Sequence, residues 1–150
     1  MNASLSSRII AANATLIVGG ELDAIGEYFG PSYVAHITDQ VATGGHALVR
    51  RLVESYRKAF PDVQVEVEIL VEAGDRVAWQ RTLRATHSGA FLCFPATGRS
   101  IVWRDMVVSR LEDGLMVEDW VITDLAEQLL RARKGRDSAI RKAGGKESRK

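Results

Sequence analysis

Two aspartates and a histidine stand inside runs of alternating apolar residues, where ionisable side chains are ordinarily scarce. Asp105 shares an alternation with Ile101, Trp103 and Val107, Asp119 falls between Val117 and Val121, and His87 ends the series Val77, Trp79, Arg81, Leu83, Ala85. A carboxyl group in apolar surroundings holds its proton more tightly than in water, and a second carboxylate nearby has the same effect. A group tuned in this way can take and return protons near neutral pH with neither metal nor cofactor. If Glu112-Asp113-Gly114 forms a three-residue loop, Leu111 pairs with Leu115, Val107 lies opposite Asp119, and Asp105 becomes its diagonal neighbour on one face. A two-residue turn at Asp113-Gly114 would shift this register by one residue. The alternative to a proton-transfer pair is a structural ion pair, for which Arg81 is the candidate partner.

Other groups carry the same double reading. His87 adjoins an apolar loop and is either a general base, a ligand contact or a satisfied structural histidine. His36, in Tyr33-Val-Ala-His36-Ile, is expected in a connection between helices, near the mouth of any cavity, with Asp39 as a possible support. Asp124 opens Asp124-Leu-Ala-Glu127, the pattern of a capping box, so it caps the last helix or contributes to the site. Trp79, Trp103 and Trp120, with Phe91 and Phe94 from the loop Phe91-Leu-Cys-Phe94, are the candidate apolar walls for a substrate. Cys93 has no basic neighbour to make it a thiolate and reads as packing, while His46 reads as a solvated residue at a helix start. The three histidines are scattered without ligand spacing, so no metal is expected, and no nucleotide-binding or hydrolase motif suggests a cofactor.

The elements that must position these groups follow from periodicity. Ile9, Ala12, Asn13, Leu16 and Ile17 recur at helical spacing until Gly19-Gly20; Glu21 to Phe29 suits a second short helix ended by Gly30-Pro31. A third helix from Gly45 to Phe60 carries Leu48, Val49, Leu52, Val53, Tyr56 and Phe60 on one stripe. After Pro61 the period switches to two, and four strands are expected: Val63 to Val71, Arg76 to His87, Ser100 to Leu111 and Leu115 to Thr123. A last helix begins at Asp124. Helices followed by an antiparallel meander give an α+β fold in which the sheet curves over the N-terminal helices and encloses a cavity.

Composition bounds the rest. The 46% apolar and 26% charged residues are those of an ordinary globular domain. Residues 136–150 carry six Lys and Arg against Asp137 and Glu147, which leaves the remainder of the chain net acidic. A domain over 1–134 with a basic, flexible tail over 135–150 is therefore expected, the tail being solvated; nothing elsewhere resembles a nucleic-acid surface. One cysteine, no leader-like N-terminus and no span-length apolar run predict a cytoplasmic protein that does not enter membranes.

Several short stretches resemble a known family: Tyr33-Val-Ala-His36, Ala59-Phe-Pro-Asp62, Glu72-Ala-Gly-Asp75, Arg84-Ala-Thr-His87-Ser-Gly-Ala-Phe91, Pro95-Ala-Thr-Gly98 and Val117-Glu-Asp-Trp120-Val-Ile-Thr-Asp124. Together, over about residues 5–133, they resemble the SnoaL-like polyketide cyclases and ester cyclases of the nuclear transport factor two-like superfamily. The resemblance implies a cone-shaped α+β barrel, a homodimer, and cofactor-free aldol ring closure with an aspartate as acid and base. Asp119 matches that aspartate by position, and Asp105 stands where a histidine partner is expected. On this reading Asp119 moves the proton, Asp105 assists, and His87 and His36 orient the carbonyl of a small apolar or aromatic ligand. Two rivals remain: a non-catalytic carrier, expected if arginines neutralise both aspartates, and an interaction module, favoured if Val63, Val65, Val67 and Ile69 face outward.

Overall fold

The computed structural model describes residues 4–147. Helix α1 (Leu5–Ala12) is capped by the Ser4 hydroxyl and runs directly into a π-helical stretch, Asn13–Val18. After a short 3₁₀ turn and helix α2 (Ile25–Tyr28), the chain enters strand β1 (Phe29–Ile37), followed by β2 (Gln40–Ala42) and helix α3 (Gly45–Ala59). Four strands complete the sheet: β3 (Gln64–Ala73), β4 (Arg76–Thr86), β5 (Ser100–Glu112) and β6 (Leu115–Thr123). Helix α4 (Leu125–Glu147) closes the chain.

The six strands form one curved sheet in the order β2-β1-β6-β5-β4-β3. The α+β class and the sheet laid over N-terminal helices agree with the sequence, but three details differ. The sheet is mixed, because β1 runs parallel to β6, and it stays open, with β2 and β3 as its edges. Phe29 to Ile37, expected as a helix end and a connection, is a strand: Tyr33 and Ala35 face inward in alternation, a pattern that Gly30-Pro31 interrupts in the sequence. Helix α4 runs through position 135 as far as Glu147; residues 148–150 of the expected tail lie outside the described residues.

The β5–β6 hairpin also takes another route. Asp113 and Gly114 both have positive φ (52° and 77°) and make a two-residue turn that pairs Glu112 with Leu115. A bulge between Arg110 and Leu111 then absorbs one residue of β6, so that Arg110 pairs with Glu118 and Ser109 with Asp119. Without the bulge Asp119 would point away from the helices. With it, Asp105, Ser109 and Asp119 share the inner face, but Asp105 pairs with Thr123 and is not the diagonal neighbour of Asp119.

Two apolar clusters fill the interior. One gathers α3, Phe60, Leu83, Trp103 and Leu129; the other joins Ile9 and Ala12 of α1 to Val77, Trp79, Val107 and Met116. Val63 is buried, and Val65, Val67 and Ile69 pack against these clusters from β3, so the outward valine face that would favour an interaction module is not formed. A bulge at Leu70 ends the alternation and turns Val71 out to solvent.

The loop after β4 is anchored at both ends. Asp62 accepts from the Thr86 amide (2.8 Å) and hydroxyl (2.7 Å), and Ser88 and Gly89 donate to the Ala59 carbonyl. A side chain at Gly89 would lie 2.6 Å from the Lys58 carbonyl, so only glycine fits this approach. Phe91 and Phe94 bridge to each other, and Phe91 stacks on Tyr56 and Phe60. Phe91 and Phe94 therefore pack within the fold, while Leu92 and Cys93 at the tip are exposed, so Cys93 does not serve as packing.

Candidate functional site

A cavity of about 790 Å³, its mouth included, lies along the seam between the two clusters. Its walls are apolar, from Leu16, Ile17, Val49 and Val53 on the helix side to Trp79 and Val107 on the sheet side. Five polar side chains interrupt this lining, Asn13, Tyr33, Arg81, Asp119 and Thr123, with the Tyr56 ring on α3.

Asp119 is the buried carboxylate of the group, 7% exposed. Tyr33 on the neighbouring strand β1 donates its hydroxyl to Oδ2 at 2.6 Å. The Ser109 hydroxyl faces it from β5, yet Oδ1 has no protein partner at hydrogen-bonding distance among the described residues. Burial pushes the Asp119 carboxyl above the usual carboxylate range; the Ser109 and Tyr33 hydroxyls and the Arg81 charge offset only part of that rise. Burial and the adjacent Asp119 charge also push the Tyr33 phenol well up, so Tyr33 stays a donor. One oxygen of Asp119 is thus fixed by Tyr33, and the other is buried beside Ser109 without a direct protein partner among the described residues.

Asp105 plays a different part. It is fully buried, and Arg81 Nε bonds its Oδ2 at 2.8 Å. Burial opposes the Arg81 charge, but Asp105 more than compensates and the guanidinium is held firmly protonated. Arg81 Nη1 donates to Asn13 Oδ1 at 2.8 Å, and Asn13 Nδ2 donates to the Ile9 carbonyl at 3.0 Å. That carbonyl also accepts from the Asn13 backbone N–H, so Asn13 is tied to it twice where the helix widens into the π-helical stretch, a kind of segment often found at functional positions. The expected carboxylate pair is therefore replaced by an Asp105–Arg81 ion pair and a separate Asp119. Asp105 does not line the cavity.

Of the expected wall residues, Trp79 lines the cavity and donates its Nε1–H to Ser109 Oγ at 3.0 Å. Trp103, Phe91 and Phe94 do not line it; they belong to the aromatic pack around Phe60 and Tyr56, behind the Tyr56 ring. His87 is fully buried in that same pack, 5.5 Å from the Phe60 ring, with Nδ1 3.1 Å from Thr97 Oγ1. Burial lowers its pKa, so it sits neutral in the loop base, away from Asp119.

His36 and Trp120 lie on the opposite, outer face of the sheet. Their rings stack 5.2 Å apart, His36 Nε2 is 2.7 Å from Glu118 Oε2, and Arg76 lies over the Trp120 ring. The expectation that these two contact a ligand beside Asp119 fails because alternation along β1 and β6 sends them outward. Asp124 receives the Arg104 amide at 2.8 Å and the Gln128 side chain at 3.1 Å, which ties the start of α4 to β5. The helix amide of Leu125 is taken by Thr123 instead. No three His, Cys, Asp or Glu side chains gather at metal-ligating distance among the described residues. Among the described residues no helix is long and apolar enough to cross a membrane.

Sequence reading missed Tyr33, Asn13 and Tyr56 as site residues and saw Arg81 only as a partner. Tyr33 was legible in the alternation of Tyr33, Ala35 and Ile37. Asn13 was legible too, as the polar member of an otherwise apolar helical stripe.

Residues 7–131 match the family model described as SnoaL-like polyketide cyclase. A candidate polyketide cyclase from Acidithiobacillus ferrooxidans superposes with a TM-score of 0.77 at 24% identity, over 89% of this chain and 99% of its own. AclR, a candidate hydroxylase from Streptomyces galilaeus, is 31% identical with a TM-score of 0.72, over 87% and 98% of the two chains. IdmH, a candidate polyketide cyclase from Streptomyces antibioticus, is 28% identical with a TM-score of 0.72, over 88% and 99%. A search of curated proteins returns no match. The matched span takes in α1, the whole sheet and the start of α4, and with it every wall of the cavity: the chain belongs to the SnoaL-like polyketide cyclase family.

Proposed function

We propose that the protein is a cofactor-independent acid–base enzyme acting on a small, apolar or aromatic carbonyl compound held in this cavity. Asp119 Oδ1 takes a proton from the carbon next to a carbonyl; the C–H bond breaks, an O–H bond forms on the carboxyl, and an enolate remains. In an isomerisation the same proton returns at a second carbon. In an aldol-type ring closure the enolate carbon attacks a second carbonyl of the same molecule, and the proton goes to the new alkoxide. Tyr33 holds the carboxyl in one orientation through Oδ2. The observation that carries this reading is a carboxyl set in the wall of an apolar cavity: burial makes Asp119 a stronger base than an ordinary carboxylate, and its Oδ1 has no direct protein partner among the described residues. The carrier rival calls for arginines on both aspartates; only Asp105 has one among the described residues.

Deuterium uptake next to the carbonyl of aryl 1,3-diketones and β-keto methyl esters in D₂O, followed by NMR, tests the proposal. Wild-type protein is expected to accelerate uptake, and Asp119→Asn to reduce the rate by about a hundredfold or more. Full exchange in the Asn variant would sink the mechanism.

A second copy of the chain is the proposed partner. Trp120, Val108, Ala78, Met106 and Ile122 form an apolar belt across the outer sheet face, with Met106 47% and Ile122 61% exposed. The register flanks this belt with rows of both signs, Glu118, Arg110 and Arg76 on one side and Arg104 and Glu66 on the other. Such a face suits a like face better than a partner of one charge.

A further inference from the structure

Taking the cavity as a substrate site, we infer that Arg81 and Tyr56 bind the oxygen that becomes negative when Asp119 removes a proton, and so select substrates able to form a delocalised oxyanion. A guanidinium carries five N–H donors in a fixed fork. Two are used, Nε on Asp105 and Nη1 on Asn13, and these two bonds come from different elements, β5 and the π-helical stretch. The fork is therefore locked in plane and orientation, and its remaining donors belong to a side chain that lines the cavity. The guanidinium also leans along the inner face, 5.5 Å from the Trp79 ring, in the direction of the row that holds Ser109 and Asp119.

Tyr56 meets it from the helix side. Its ring lines the cavity between Phe91 and Trp103, and its hydroxyl makes no hydrogen bond to protein among the described residues. Burial and the nearby Asp105 charge push the phenol up to about 12, so it remains a donor at neutral pH, and Arg81 is close enough to act against that rise. Two donors, one charged and one neutral, thus share an apolar wall with a base whose Oδ1 has no direct protein partner among the described residues. Donors set in advance where charge develops, in a site that excludes water, stabilise the transition state more than the ground state. The Asp105 charge already balances Arg81, so the site favours a delocalised enolate over a compact ion such as an aliphatic carboxylate.

The probes are 2-naphthols of graded acidity, which mimic an aromatic enolate, and naphthalene as the uncharged shape control. Wild-type protein is expected to bind the more acidic naphthols more tightly and to shift their absorbance to the naphtholate form at a pH below their free pKa. Tyr56→Phe and Arg81→Lys are each expected to weaken naphtholate binding by about tenfold, with naphthalene affinity unchanged. Arg81→Lys keeps a cation beside Asp105, and Tyr56→Phe keeps the ring stack, so neither variant depends on surviving an unpaired buried charge. Asp119→Asn should bind naphtholate at least as well as wild type. This readout needs no turnover and is therefore separate from the exchange test above. Affinity independent of naphthol acidity, wild-type naphtholate binding in both variants, or no binding of naphthol or naphthalene would each overturn the inference.

Discussion

Asp119 is held in a state that folding alone would not select. Its carboxyl keeps a proton in the native protein at a pH where the unfolded chain, with its ordinary value of 3.8, has already lost it. Between those two values the native state binds more protons than the unfolded state, so its stability falls as pH rises, and above the native pKa the full cost remains. Asp119→Asn, which keeps an oxygen for the Tyr33 hydroxyl, is therefore expected to melt at a higher temperature than wild type at about pH 8. The difference should vanish near about pH 4. Equal melting temperatures across that range would show that Asp119 carries no desolvation cost. Arg81 and Asp105 offer the contrasting case, since their opposite charges pair directly and Arg81 is held further by Asn13. The sequence made the aspartates conspicuous because each breaks an apolar alternation. It could not say which one an arginine neutralises, because that depends on which strands are neighbours and how long the side chains reach.

At the scale of elements, the strands with clean period-two alternation and the amphipathic helix α3 were readable directly. Strand β1 was not, since Gly30-Pro31 are residues that ordinarily end a helix and rarely sit within a strand. Losing β1 also lost Tyr33, and with it the hydrogen bond that orients Asp119. The β5–β6 hairpin shows a subtler limit. A three-residue loop and a two-residue turn followed by a bulge give Asp119 the same face, but they differ by two residues in its partner, Ser109 in place of Val107. Alternation reports the face and is blind to the offset along it. The separation of the two aspartates therefore could not be read before the ladder was known. The loop carrying Phe91 and Phe94, expected as a cavity wall, packs instead on Tyr56 and Phe60, a partner that the letters of the loop do not name.

The whole molecule has two apolar surfaces with different destinations: an inner one that encloses the cavity and an outer belt across the sheet. If the outer belt joins two copies, Ile122→Lys places a charge in the middle of that contact and should yield a monomer in sedimentation equilibrium, with deuterium exchange still dependent on Asp119. A wild-type protein that sediments as a monomer at all accessible concentrations would remove the belt from this role. The inner surface has a mechanical consequence. Its two clusters meet along a void instead of along close-packed atoms, and a protein yields to hydrostatic pressure in proportion to the void that unfolding eliminates. Compression should therefore act first at this seam, prising α1 and its π-helical continuation from α3. A bound naphthol, by filling the gap, should raise the pressure midpoint followed by tryptophan fluorescence, and an unchanged midpoint would mean the seam is not where the fold is soft.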